Sequence, residues 1–529
     1  MKRIYIGIII TLMLIITPII IWYLDDNTPL NVAILDKTVP NETYREHLGV
    51  NWFLNHYKYT MDNQPYDLVD SYFGTQPDDK LKSVTEKKFP TDYSNYDVIY
   101  LADTYGVYKD DLGQEKRLGQ RSEKIVGGLE MEEWQSIVSR LASNKKSMLI
   151  AEYNTFASPT TEAVRKELQD YLGISWSGWI GRYFDELDYH KNLEIPQWIV
   201  DEYGDDWSYK GGGFIVFNEI TEKLVVLELD KHIKTAGIEL QFTEAGKQFF
   251  NTSSSAKYEY WFDIITPKYA EDALANYKWD LTKEGSKILD DNHIPQQFAA
   301  IVSQDKRYTT SYYFAGDFND MGRLPTLSKV KGLPTLYKYA EKFADSSFYW
   351  SIYIPVMHKV FETFEKKEVQ ETNHANKLNY NARVQGETFE VLQDGKWEPI
   401  TFKGVNIGMG KPGAFPGEAA ITEEEYYRWF NQIAAMNANT IRVYTLHPPG
   451  FYRALAKYNE ENPNRPLYVL HGVWINEEGL SQSLDAYDAT TLKDFQHEMK
   501  RMVDVIHGNI YVKPVTGHAS GLYDVDVSK

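Results

Sequence analysis

The chain has 529 residues, and 56 Lys and Arg against 75 Asp and Glu give it a formal charge of −19. That length excludes one small binding module and predicts roughly three or four domains, while the negative field repels phosphate backbones and disfavours a nucleic-acid partner. Cysteine is absent, which removes disulfides, thiolate zinc sites, iron-sulfur clusters and a cysteine nucleophile together; 43% apolar and 25% charged residues describe a folded chain with a substantial core.

From Ile4 to Leu24 runs IYIGIIITLMLIITPIIIWYL, uncharged and long enough, at about 1.5 Å per residue, to cross a hydrocarbon layer of about 30 Å. It reads as a transmembrane helix. A cleaved signal, the alternative, has a shorter apolar core followed by small residues, whereas this run ends in Trp22, Tyr23, Asp25 and Asp26, so a retained single-pass anchor is expected. Lys2 and Arg3 precede it and acids follow, which puts the N-terminus in the cytoplasm and the bulk of the chain outside the cell membrane. A second apolar stretch, Phe348 to Phe361, is about half a span long and contains Pro355, His358 and Lys359; it reads as a packed helix.

Between residues 31 and 172, NVAILD (31–36), YDVIYLAD (96–103) and SMLIAEY (147–153) have the character of buried strands, and Tyr44, Leu48, Trp52 and the stretch Glu130 to Leu141 have helical spacing. That alternation predicts an α/β domain with a doubly wound parallel sheet. Asp36, Asp103 and Glu152 each end such a strand, where open α/β sheets bind ligands; the other reading is that they hold loops and helix starts. Gly211-Gly212-Gly213 leads into FIVFNEI, a strand pattern, so it reads as a loop and not as a phosphate cradle, which would open a helix. The stretch 224–318 completes this domain. Strand order together with ADTYGVY (102–108) and AEYNTFASPT (151–160) resembles the class I glutamine amidotransferase-like fold. Enzymes of that family carry a cysteine on a sharp turn after a central strand; Glu152 to Phe156 holds none, which excludes amidotransferase activity.

The domain boundaries predicted are 1–29 for the cytoplasmic stub and anchor, 30–333 for the α/β domain, 334–381 for a charged helical connector (FEKKEVQETNHANK) and 382–529 for a last domain. The last domain opens on a hairpin, Phe389–Leu392 and Trp397–Ile400 around Asp394-Gly395. Next comes a repeat of strand and helix. FKGVNIG (402–408), TIRVYTL (440–446) and PLYVLHGVW (466–474) are strands. Thr422 to Ala438, with Thr422 and Glu425 in capping-box spacing, Phe451 to Tyr458, and the face Leu492, Phe495, Met499, Met502, Val503 and Ile506 are helices. Such a series begins a (β/α)8 barrel.

These three strands, with NANTIRVYTLHPPGFYRALAKYN and PLYVLHGVWINE, resemble the opening of the retaining glycoside hydrolase barrels that include the family 2 β-galactosidases and β-glucuronidases. The resemblance covers about residues 382–529. It implies that Arg442 matches the arginine that holds the nucleophilic carboxylate, the alternative being a structural ion pair, and that His447, with Trp474 and Asn476, belongs to a sugar-binding mouth. Retaining hydrolysis needs two carboxyl groups about 5 to 5.5 Å apart. In the related barrels the acid/base follows strand four in an Asn-Glu pair. Asn476-Glu477 follows strand three, so Glu477 is only a weak candidate, and a sugar hydrogen bond or a helix cap suits this pair better. A full barrel takes roughly 250 residues; the stretch from Phe402 to Lys529 is about half of that, so a fragment or a decayed barrel, inactive by itself, is expected.

The functional expectation is therefore a membrane-anchored extracytoplasmic protein of glycoside hydrolase type acting on polysaccharide. The alternative is a non-enzymatic carbohydrate-binding or envelope-assembly component using Asp36, Asp103 and Glu152. Carbohydrate is the expected partner, with the membrane through residues 4–24. No cofactor is implied, and no His-x-x-x-His or comparable spacing suggests a metal.

Overall fold

The computed structural model describes residues 16–528 except 113–118, 120–121, 144, 157, 253–254, 307, 327, 341–346, 368–380, 394 and 509. The chain divides into two units, residues 1–137 with 146–368 and residues 138–145 with 369–529. Helices and strands mix in both, and the protein is of the α/β class.

A helix α1 (residues 16–24) continues the N-terminal apolar run. Ile16, Ile20, Ile21, Tyr23 and Leu24 are exposed on it, whereas Trp22 is buried and donates its indole N–H to the His56 carbonyl at 2.8 Å. Residues 4–15 of the expected span lie outside the described residues, and among the described residues no helix is long and apolar enough to cross a membrane.

The first unit continues with β1 (Val32–Asp36), α2 (Arg45–His56), β2 (Tyr72–Asp78), β3 (Ser83–Lys87), β4 (Val98–Asp103), α3 (Met131–Leu141), β5 (Ser147–Ala151) and α4 (Glu162–Leu172). Then come β6 (Ile174–Phe184), β7 (Gly213–Asn218), β8 (Lys223–Glu228), β9 (Phe262–Pro267), β10 (Gln297–Asp305), β11 (Thr309–Phe314) and the helix α5 (Ile354–Lys366). Every residue of β1, β4 and β5 is buried, and a strand covered on both faces reads as an unbroken apolar run.

In space the strands run β8-β7-β6-β9-β10-β11-β5-β4-β1-β2-β3, the long path of a fourteen-stranded sheet. β2, β1, β4, β5 and β11 are parallel; the other neighbours on the path are antiparallel. The expected doubly wound parallel sheet is thus corrected to a mixed one. The physical reason is loop length: β7 to β8 and β10 to β11 are joined by a few residues, which closes a hairpin, whereas a parallel crossover needs about a dozen or more.

The expected connector is also corrected in part. In α5 and the π-helical stretch before it (Tyr349–Tyr353), Tyr353, Met357, Val360 and Phe361 are fully buried, and the ring of Phe361 lies 5.0 Å from that of Phe53 in α2. These residues are core of the first unit, whose boundary falls after residue 368. The charged stretch of 368–380 lies outside the described residues.

The second unit opens with three antiparallel strands, β12 (Ala382–Gln385), β13 (Thr388–Gln393) and β14 (Lys396–Ile400), paired in order. Asp394 of the expected turn lies outside the described residues. The chain then forms β15 (Gly404–Asn406), α6 (Glu423–Ala435), β16 (Thr440–Val443), α7 (Pro449–Glu461), β17 (Tyr468–His471), α8 (Glu477–Ser483), α9 (Ala489–Ile506), β18 (Ile510–Val512) and β19 (Gly521–Tyr523). β15, β16 and β17 pair in that order, all parallel. The Thr422 hydroxyl accepts from the Glu425 amide (3.3 Å) and the Glu425 carboxylate from the Thr422 amide (2.9 Å), so the capping box starts α6. Tyr426, Phe430, Phe451 and Leu455 from α6 and α7 join Ile441 and Val443 in one core. Arg442 and Leu470, in register on the other side of the sheet, are exposed, as are Leu492, Met499 and Val503 of α9.

Candidate functional site

Because β1, β4 and β5 are neighbours running the same way, their last residues fall on one edge of the sheet, and Asp36, Asp103 and Glu152 stand there with 0%, 3% and 0% of their surface exposed. Thr38 bridges the first two: its amide donates to Asp36 Oδ1 at 2.9 Å and its hydroxyl to Asp103 Oδ1 at 2.5 Å. The Asn154 side chain donates to Asp103 Oδ2 at 2.8 Å, and the Tyr105 amide donates to Oδ1 at 2.7 Å. Asp36 Oδ2 lies 2.6 Å from Nδ1 of His47, whose Nε2 donates to the Leu68 carbonyl at 2.9 Å. Both ring nitrogens of His47 thus face oxygen atoms, which fixes the ring against β1 and the loop before β2.

Glu152 is held from three sides. The Tyr100 hydroxyl donates to Oε1, and the amides of Phe318 and Asn319 donate to Oε2 at 3.0 and 3.1 Å. Asn319 in turn accepts from the Val50 amide at 2.8 Å and donates its side-chain amide to the Glu46 carbonyl, which ties the loop after β11 to α2. Gly49 permits the approach: a β-carbon there would sit 2.7 Å from the Asn319 carbonyl oxygen. Asp36 and Asp103 thus share Thr38, whereas Glu152 is bonded to Tyr100, Phe318 and Asn319, and each of the three fastens a loop.

Burial raises two of these acids. Asp103 is pushed up to about 7 and Glu152 to about 8, in each case mainly because a buried charge loses its water. Asp317, which follows β11 by three residues, is raised for the same reason and then by Asp320, Asp103 and Glu152. Asp320 is neutralised by Arg45 Nε at 2.5 Å, and Arg45 also reaches the Tyr260 hydroxyl at 3.0 Å. At neutral pH such an edge can hold or release protons. Among the described residues no group of three or more His, Asp or Glu is arranged to hold a metal ion.

Asp317, Asn319, Asp320 and Arg45 escape the sequence reading. The run YYFAGDFND (312–320) carries the same signal as the other three strands, apolar residues ending in acids, but it sits among aromatic-rich antiparallel strands.

The second unit scatters its predicted residues. Arg442 lies with its guanidinium 4.6 Å from the ring of Tyr444, both exposed, and pairs with no carboxylate among the described residues. Trp474 is also exposed. Asn476 caps α8, its side-chain oxygen accepting from the Gly479 amide at 3.2 Å, and Glu477 is the exposed first residue of that helix, where its charge suits the helix dipole. The expectation of His447 at an open mouth is corrected. It is 1% exposed, with Nδ1 2.8 Å from the Tyr426 hydroxyl and its carbonyl accepting from the Tyr523 hydroxyl at 2.8 Å. α6 and β19 enclose it, and burial holds it down at about 4, neutral at physiological pH. Its neighbour His471, whose Nε2 is 2.7 Å from the Tyr452 hydroxyl, belongs to the same enclosed network and is not singled out by the sequence.

The chain matches no protein-family model, no curated protein and no solved structure.

Proposed function

We propose that the chain is a membrane-anchored, extracytoplasmic protein of the glycoside hydrolase type that engages polysaccharide, its second unit being the opening of a (β/α)8 barrel and its first an amidotransferase-like α/β domain without that family's nucleophile. The observation that carries this reading is the parallel series β15-α6-β16-α7-β17, with helices packed on one side and Arg442 presented on the other. In such a barrel the strand ends line the mouth. Here they supply Tyr444 and Trp474, flat aromatic faces against which sugar rings pack, and a guanidinium that no carboxylate of the described residues engages.

Asn476 is engaged as a cap and Glu477 lies on an exposed helix start, so neither supplies a hydrolytic pair at this mouth. That favours binding without turnover by the chain as it stands, the mode of a carbohydrate-binding or envelope-assembly component. The test is a titration of the full chain with polysaccharide fragments beside an aryl-glycoside assay. Binding is expected, weakened about two- to twelvefold by Trp474→Ala, since aromatic contacts contribute about 0.5–1.5 kcal/mol beyond burial, with no turnover. Binding indifferent to both Trp474→Ala and Arg442→Ala overturns the assignment of the mouth, and robust retaining turnover overturns the absence of a catalytic pair.

A further inference from the structure

Beside the end of α1 the first unit forms a cavity of about 590 Å³, lined in part by Trp22, Asp25, Asp26, Lys58 and Lys331. It is separate from the carboxyl edge, and its size is that of a small-molecule site. Its charges do not cancel pair by pair. Lys331 Nζ meets Asp25 Oδ2 at 2.5 Å, which neutralises those two. The Lys58 ammonium donates to the carbonyls of Trp22 (3.2 Å) and Asp25 and lies 4.9 Å from the centre of the Trp22 ring, all uncharged partners. Asp26 is exposed and, among the described residues, makes neither an ion pair nor a hydrogen bond. His56 and His358 also line the cavity, and burial lowers both, so they add no charge at neutral pH.

Among the described residues, one cation and one anion that line the cavity are therefore left without a countercharge. A ligand bearing only negative charge meets Asp26, and one bearing only positive charge meets Lys58; a ligand bearing both satisfies each. Trp22 at the end of α1 lines this cavity, Ile16, Ile20, Ile21 and Leu24 are exposed on the same helix, and Trp and Tyr, as at 22 and 23, are favoured where a chain leaves a bilayer. We propose that the cavity binds the headgroup of a zwitterionic phospholipid that carries a phosphate and a primary ammonium, Lys58 taking the phosphate and Asp26 the ammonium. The bilayer location rests on the anchoring reading above; the charge complementarity does not.

The test is calorimetric titration of the full chain in detergent with dihexanoyl phosphatidylethanolamine, dihexanoyl phosphatidylglycerol and free phosphoethanolamine. Phosphatidylethanolamine is expected to bind about tenfold more tightly than phosphatidylglycerol, and Asp26→Asn and Lys58→Gln are each expected to weaken it about tenfold, the size of one charge-assisted hydrogen bond. Free phosphoethanolamine binding as tightly as the lipid supports the same site with a soluble phosphate ester as its source. Equal affinity for the two lipids, or affinity unchanged in Asp26→Asn, overturns the proposal. Lys58 also fastens α1, so Asp26→Asn, a change at an exposed side chain without partners, keeps the test decisive if Lys58→Gln unfolds. Retention of the full chain in membranes after alkaline washing is read separately, and its failure overturns the anchor without touching the titration.

Discussion

The two units treat the polar groups at their strand ends in opposite ways. In the first, Asp36, Asp103 and Glu152 are enclosed and each is bonded to a neighbouring loop or helix. In the second, Arg442, Tyr444 and Trp474 face solvent from a sheet covered on one side. A carboxyl group that fastens loops adds to stability and is costly to remove; an exposed guanidinium or indole costs the fold little and is available to a ligand.

That contrast can be broken at its strongest point in the core. Phe53 is fully buried with its ring 5.0 Å from that of Phe361, so Phe53→Ala is expected to destabilise the first unit by about 3–5 kcal/mol, read as a shift of its thermal transition. A smaller loss, of about 2–4 kcal/mol, is expected for Glu152→Ala, which leaves the Phe318 and Asn319 amides without their acceptor.

The acids sharpen the comparison through pH. Asp103 moves from its ordinary 3.8 to about 7 in the fold and Glu152 from 4.5 to about 8, so the folded chain keeps protons that the unfolded chain has released. The stability linked to these protons is fully present below about pH 4 and is lost as pH rises through 7 to 8. The melting temperature of the first unit is expected to be lower at pH 9 than at pH 5. Glu152→Gln keeps an acceptor for the two amides and should flatten that slope; an unchanged slope would reassign it to other groups. The smallest effect belongs to the second unit: Leu492→Ser, on the exposed face of α9, should change stability by no more than about 0.5 kcal/mol in denaturant titration.

Legibility in the sequence follows the same division. β1, β4 and β5 are readable because two-sided burial makes each an uninterrupted apolar run, and the acid that ends each run marks the edge. α6 is readable from its capping box and from Tyr426, Phe430 and Ile433 at helical spacing. Of the antiparallel strands, β7 is readable from FIVFNEI, whereas most of β6 is not, since from Gly178 onward it is buried almost throughout, Trp179 and Tyr183 included, and leaves little alternation to follow. α5 is readable as a packed helix from its apolar stretch Phe348–Phe361, with Val356, Val360 and Phe364 in the core, and only the charges of Lys359, Glu362 and Lys366 draw it into the expected connector. His447 shows the limit for the site: adjacency to a strand end places a residue near a mouth, but only Tyr426 and Tyr523, one before it and one far after it in the chain, decide that it is closed off.

Position 49 gives the first unit an unusual sensitivity. The Asn319 carbonyl occupies the space where any side chain at that position would begin, and the same residue's amide grips Glu152. A single added methyl group on α2 therefore pushes on the acid edge from behind, and α2 acts as a lever whose setting no exposed residue reveals.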